Sequence, residues 1–149
     1  MVSPYAGFWI RFLALIIDRV LLGAVLGPLS AIFLLPLMIS ASRGGMEDGP
    51  PPWFFTTLPF VILLSLVAQW LYEALLTSSS WQGTVGKKLL KLKVTDMAGN
   101  RISFGRATGR FFGKILSTIA CHLGFIMVAF TERKQGLHDM IAGTLVWKA

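Results

Sequence analysis

The stretch GFWIRFLALIIDRVLLG, residues 7–23, sets Arg11, Asp18 and Arg19 into an otherwise apolar run of Phe, Trp, Leu and Ile. It reads as the start of a membrane helix, yet it carries three charges where hydrocarbon normally meets the chain. The rest of the sequence supports the membrane reading. Over 149 residues, 54% are hydrophobic and only 14% charged, against about 25% charged in ordinary soluble proteins. No charge falls between Arg19 and Arg43, or between Asp48 and Glu73. Runs of that length approach or exceed the roughly 20 residues that cross a bilayer core.

Fourteen Lys and Arg against seven Asp and Glu would suit a nucleic-acid binder. The positive charge gathers in residues 87–114, however, just after the second apolar run. Such juxtamembrane clusters set topology and touch anionic headgroups, so nucleic acid is not an expected partner. One cysteine, Cys121, excludes an intramolecular disulfide and reads as a small hydrophobe. Asp18 and Arg19 break the apolar core that a signal peptide requires.

The expected fold is an all-α integral membrane bundle of two to three transmembrane helices in a single domain, 1–149, with a short cytoplasmic β-hairpin on its surface. A first helix is expected over about residues 6–40. Gly27-Pro28 and Pro36 offer places to bend it. Arg11 can snorkel to the headgroups, whereas Asp18 sits too deep to do so. A Gly- and Pro-rich loop follows over 41–53. The second helix, about 53–77, has Trp53 at one end and Trp70 with Tyr72 at the other, as interfacial aromatics.

A basic connection covers residues 78–110. In LLKLKVT, Leu90, Leu92 and Val94 alternate with Lys91, Lys93 and Thr95, a period of two. DMAGN supplies a turn, and ISF a returning strand. Lys87, Lys88, Lys91 and Lys93 are the expected contacts to anionic headgroups. GTVGKK lacks P-loop spacing, so no nucleotide site is expected there. The third apolar segment, 111–131, has 17 uncharged residues from Ile115 to Thr131, at the short limit for a span. It either crosses or breaks near His122–Gly124 and re-enters. The C-terminal segment, 132–149, ends in MIAGTLVW, too short to span as a helix. Eight Lys or Arg in 78–114 against one in 41–53 put the basic connection and the N-terminus in the cytoplasm.

Three blocks, GFWIRFLALIID, GTVGKKLLKLKVTDMAGNRISFGRATGR and TERKQGLHDMIAGTLVW, together resemble the RDD family of membrane proteins. The resemblance covers residues 7–147 and matches Arg11, Asp18 and Asp139 to the family's signature arginine and two aspartates. It implies a multi-pass protein of the prokaryotic cytoplasmic (inner) membrane with a role in transport, cation–proton exchange included.

Arg11 and Asp18 share a helix face, two turns or roughly 10.5 Å apart. Because helical side chains lean toward the N-terminus, a direct pair between them is not expected, and Asp139 is the candidate third member that joins them. Two functional readings follow. In one, Asp18 is a proton or monovalent-cation ligand tuned by Arg11 and Asp139. In the other, the three residues pin the first helix to the C-terminal segment. Glu73 is the expected partner of Arg19, and His138 a candidate proton relay beside Asp139. Gly23 and Gly27 form a GxxxG spacing compatible with a homodimer. No metal-ligand spacing, cofactor motif or nucleophile–base pair is visible, so neither a metal, a cofactor nor an enzyme is expected. The alternative to a transporter is a non-transporting membrane module that binds anionic lipid or a partner protein.

Overall fold

The computed structural model describes residues 4–43, 49–119 and 123–148. Cys121 and His122 lie outside the described residues. Helix α1 runs from Phe8 to Ser42 and α2 from Pro52 to Ser78. Both are long and apolar enough to cross a membrane. At 1.5 Å per residue, the 35 residues of α1 reach about 52 Å. Its helical backbone continues through Pro28 and Pro36, as the single helix expected over about 6–40 requires. α2 begins on Pro52, a position where the missing N–H costs no helical bond.

Five short helices and strands complete the chain with one longer helix: α3 (Val85–Leu89), β1 (Leu92–Asp96), α4 (Phe104–Ile119), α5 (Leu123–Phe130), α6 (Leu137–Ala142) and β2 (Thr144–Lys148). The alternation in LLKLKVT does form a strand, with Leu92 and Val94 buried and Lys93 exposed. Its partner is not ISF. β1 pairs antiparallel with β2, from Leu92 opposite Lys148 to Asp96 opposite Thr144. Asp96 instead closes the DMAGN turn on itself, accepting from the amides of Ala98 and Asn100 at 2.9 and 2.8 Å. Ile102 is buried in the core, and α4 starts two residues later. On the other edge of β2, Ala6 N–H donates to the Val146 carbonyl and Lys148 N–H to the Pro4 carbonyl. The last strand is therefore held by both the N-terminal residues and β1.

The chain divides into two compact units, Met1–Asp18 with Trp70–Ala149, and Arg19–Gln69. The second consists of the middle of α1 and most of α2, with Phe33 and Phe60 edge-to-face at 6.3 Å. The first has a small core of Ala6, Ala14, Ala74, Leu92, Val94, Ile102, Ala107 and Val146. The small residues let elements approach closely. A Cβ on Gly86 would fall 2.3 Å from the carbonyl oxygen of Ala14, and one on Gly113 would fall 3.1 Å from the Cα of His138. Glycine is thus required where α3 meets α1, and it eases the close approach of α4 to α6.

The expected third apolar segment is two elements. α4 starts earlier and is amphipathic, burying Ala107, Arg110, Phe111, Gly113 and Ser117 and exposing Phe112, Ile115, Leu116 and Ile119. α5 has eight residues. The aromatic tips at the end of α2 also find protein partners. Trp70 Nε1 donates to Thr108 at 3.1 Å, and the Tyr72 hydroxyl donates to Asp18 at 2.7 Å.

Gly86→Ala should lower the unfolding midpoint in detergent, by about 1–3 kcal/mol of overpacking. Gly105→Ala should not, because no described atom lies within 4 Å of the added Cβ and alanine favours the helix.

Candidate functional site: two buried polar clusters

The first unit buries more ionisable groups than any other part of the described chain. Asp139, on α6, is fully buried. Its carboxylate is ion-paired with Arg11 of α1 and, at 2.7 Å, with Arg110 of α4. The Gly136 amide donates to it at 3.3 Å, and His138 Nε2 lies 3.4 Å away. Arg11 is spread over the N-terminal side of the cluster, donating from Nε to the Ala6 carbonyl at 2.8 Å and from Nη2 to the Lys134 carbonyl. Burial alone would raise the Asp139 carboxyl, but Arg110, His138 and Arg11 outweigh it and hold the group ionised below its ordinary range.

Asp18 belongs to a second cluster. One oxygen accepts from the Gly86 amide at 2.8 Å and from the Tyr72 hydroxyl at 2.7 Å, and the other accepts from Thr84 Oγ1 at 2.5 Å. The Tyr72 hydroxyl accepts in turn from the Val85 amide at 3.1 Å. The three signature residues are thus not one site. Arg11 and Asp139 meet directly, whereas Asp18 clamps the start of α3 to α1 and α2.

The secondary expectations are redistributed. Glu73 pairs with Lys114 of α4, not with Arg19. Arg19 is exposed and in no ion pair among the described residues. Lys88, Lys91 and Lys93 are exposed, as headgroup contacts must be, but Lys87 is 7% exposed and buried. His138 is buried as well, and burial, assisted by Arg110 and Lys114, pushes its imidazole down to about 3 against the pull of Asp139 and Glu73. An imidazole held that low is neutral near pH 7, which speaks against a relay role.

Arg110 was not foreseen. The signal was present in FGRATGRFF: at helical spacing it shares a face with Ala107 and Phe111, the buried face of α4. Its Nε and Nη1, the Nζ of Lys87 and the Oγ1 of Thr77 are buried without a hydrogen-bond partner among the described residues. Leaving such a donor unmade costs on the order of 1–3 kcal/mol, more for a charge. Burial and the charges of Arg110 and Lys114 press the Lys87 ammonium well below its ordinary range, while Glu73 and Asp139 support it. The cluster therefore contains Arg11, Lys87, Arg110 and Lys114 against Glu73 and Asp139, a surplus of positive charge. No group of three or more metal-ligating side chains occurs among the described residues.

Two expectations follow. Asp139→Asn strands two buried guanidiniums and should cost about 3–5 kcal/mol, whereas Asp18→Asn, which puts an amide NH2 where a carboxylate oxygen accepts from neutral donors, should cost about 1–3 kcal/mol. Unfolding in detergent that reverses this order would refute the assignment. His138 stays neutral in the folded protein while its unfolded form takes a proton near 6.5. Stability should therefore decline as pH falls from 6.5 toward about 3. His138→Gln should flatten the dependence of the thermal midpoint on pH over that window.

The family model of the RDD family matches residues 5–143. The chain is 42% identical over 147 residues to "Uncharacterized protein YxaI" of Bacillus subtilis (strain 168), covering 95% of each chain. It is 31% identical over 152 residues to "Uncharacterized membrane protein YteJ" of the same organism, covering 98% of this chain and 82% of that one. No solved structure matches it significantly. The family match takes in Arg11, Asp18, Arg110 and Asp139 together, and the chain belongs to the RDD family of membrane proteins.

Proposed function

We propose that this chain is a multi-pass protein of the prokaryotic cytoplasmic membrane that handles ions or small solutes as a small transporter, with the buried charged cluster of its first unit as the binding element. The observation that carries this reading is the set of buried, unpartnered donors on Lys87 and Arg110 beside the Asp139 ion pairs. A cluster that only pinned helices would gain from pairing every member, and unpaired buried charge is retained at a cost in stability. Such groups inside a membrane protein are candidates for handling a ligand.

The orientation is supported by position. Exposed Lys88, Lys91, Lys93, Arg101 and Arg106 all belong to the unit that joins the start of α1 to the end of α2. A basic unit of that kind faces the cytoplasm. β2 is hydrogen-bonded to Pro4, Ala6 and β1, so the two ends of the described chain lie together, which supports giving both the side of the basic unit.

A second reading is favoured by Asp18, whose oxygens are consumed by protein donors. In that reading the protein is a non-transporting membrane module whose exposed lysines bind anionic lipid. Flux into proteoliposomes separates the two. The purified chain should pass a proton, a monovalent cation or a small anion faster than protein-free vesicles, and Lys87→Met should cut that flux about tenfold, as loss of one charge-assisted contact does. Folded protein with no flux of any of these ions would remove the transport reading and leave the lipid-binding one.

A further inference from the structure

Three of the five carboxylates of the first unit, Asp18, Glu73 and Asp139, lie in its two polar clusters and leave little for a cation to bind. Asp18 accepts from Gly86, Tyr72 and Thr84. Asp139 is taken by Arg11, Arg110 and the Gly136 amide, and Glu73 is paired with Lys114. A hard cation needs several oxygen ligands at once, and these oxygens already face N–H and O–H groups. The spare capacity is of the opposite kind. Lys87 Nζ and two nitrogens of Arg110 are donors that cannot accept. Only a group rich in lone pairs and carrying negative charge satisfies them.

We propose that Lys87 and Arg110 bind a small anion, a phosphate-type oxyanion carried either by a soluble solute or by a lipid headgroup. The proposal rests on the reading of the charged cluster as a binding element and names its ligand class. Both side chains come from elements fixed by other contacts. α3 is seated on α1 through Gly86, and Gly83 is packed closely against the stem of Lys87. Arg110 is anchored through Nη2 on Asp139, which leaves Nε and Nη1 to the ligand. Thr77, whose hydroxyl is also buried and unpartnered, lies one helical turn from Glu73 on α2 and adds a hydroxyl on that face. Guanidinium and ammonium together form the usual cradle for a phosphoryl group. With the anion bound, the cluster's surplus positive charge is neutralised.

The test uses the full chain purified in zwitterionic detergent and, in parallel, in phosphatidylcholine nanodiscs with and without phosphatidic acid. Inorganic phosphate is titrated against gluconate at constant sodium and ionic strength, and the thermal midpoint is read. A saturable rise in detergent identifies a soluble oxyanion; a rise caused by phosphatidic acid alone identifies a headgroup; either supports the site. Lys87→Met should weaken binding about tenfold or more, and it should raise the midpoint of the anion-free protein, because it removes a buried polar group that has no hydrogen-bond partner among the described residues. Lys87→Arg should retain binding. No saturable rise in either arm, or a full response in Lys87→Met, overturns the proposal. Flux is scored separately: anion binding without flux keeps the site and removes transport, whereas cation flux without anion binding keeps transport and removes the site.

Discussion

The carboxylate of Asp139, held between the guanidiniums of Arg11 and Arg110, is the interaction on which the first unit depends. It ties together three helices that share no local sequence, and its bond to Arg11 closes a separation of 128 residues. Such a closure is entropically costly and can form only when nearly the whole chain is present. Around it the same long-range logic repeats. β2 inserts between β1 and the N-terminal residues, so the first and last parts of the chain are joined by backbone hydrogen bonds as well as by charge. Ion pairs of this kind add little net stability over a well-packed apolar core. They do penalise every wrong arrangement, because a misplaced Arg110 or Asp139 would be a buried charge without its partner.

Asp18 solves a different problem. α3 has five residues and no side-chain cap. Its first amides are buried against α1, where water cannot satisfy them. An acceptor must come from elsewhere, and Asp18 supplies it to Gly86 directly and to Val85 through Tyr72. The close approach that makes this contact possible also forbids any side chain at position 86. The aspartate in the apolar run and the glycine in GTVGKK are therefore two halves of one contact.

Much of this was legible in the sequence, and the losses have physical causes. The two apolar runs and the strand in LLKLKVT carry local or compositional signals, and those signals are strong, whereas Arg11 and Asp139 stand out only through the resemblance to the RDD family. The strand's partner was misread because hairpin logic favours the nearest apolar segment, whereas TLVW near the C-terminus offered too few residues to compete on pattern alone. Lys87 and Lys88 look alike as a basic doublet, and only the phase of α3 buries one and exposes the other. The Glu73–Lys114 pair, 41 residues apart, leaves no periodic trace at all. Asp139 was expected to join Arg11 to Asp18. The chain uses a second arginine in place of the second aspartate, and that arginine was hidden among the apolar positions of α4.

α3 connects the two clusters in a way neither would reveal alone. Gly86 donates its amide to Asp18, and the next residue, Lys87, belongs to the charged cluster around Asp139. A helix of five residues has no freedom to move one without the other, since neighbouring Cα atoms are 3.8 Å apart and share a peptide plane. Whatever neutralises Lys87 therefore acts on the element that Asp18 clamps. Conversely, loosening Asp18 shifts the ammonium that the cluster must accommodate. The two signature aspartates are in this sense linked through one short helix, by the Gly86 amide on one side and the charge of Lys87 on the other, although no atom of one bonds to the other. Three signature residues thus sit in two separate hydrogen-bonded groups that a single five-residue helix holds side by side.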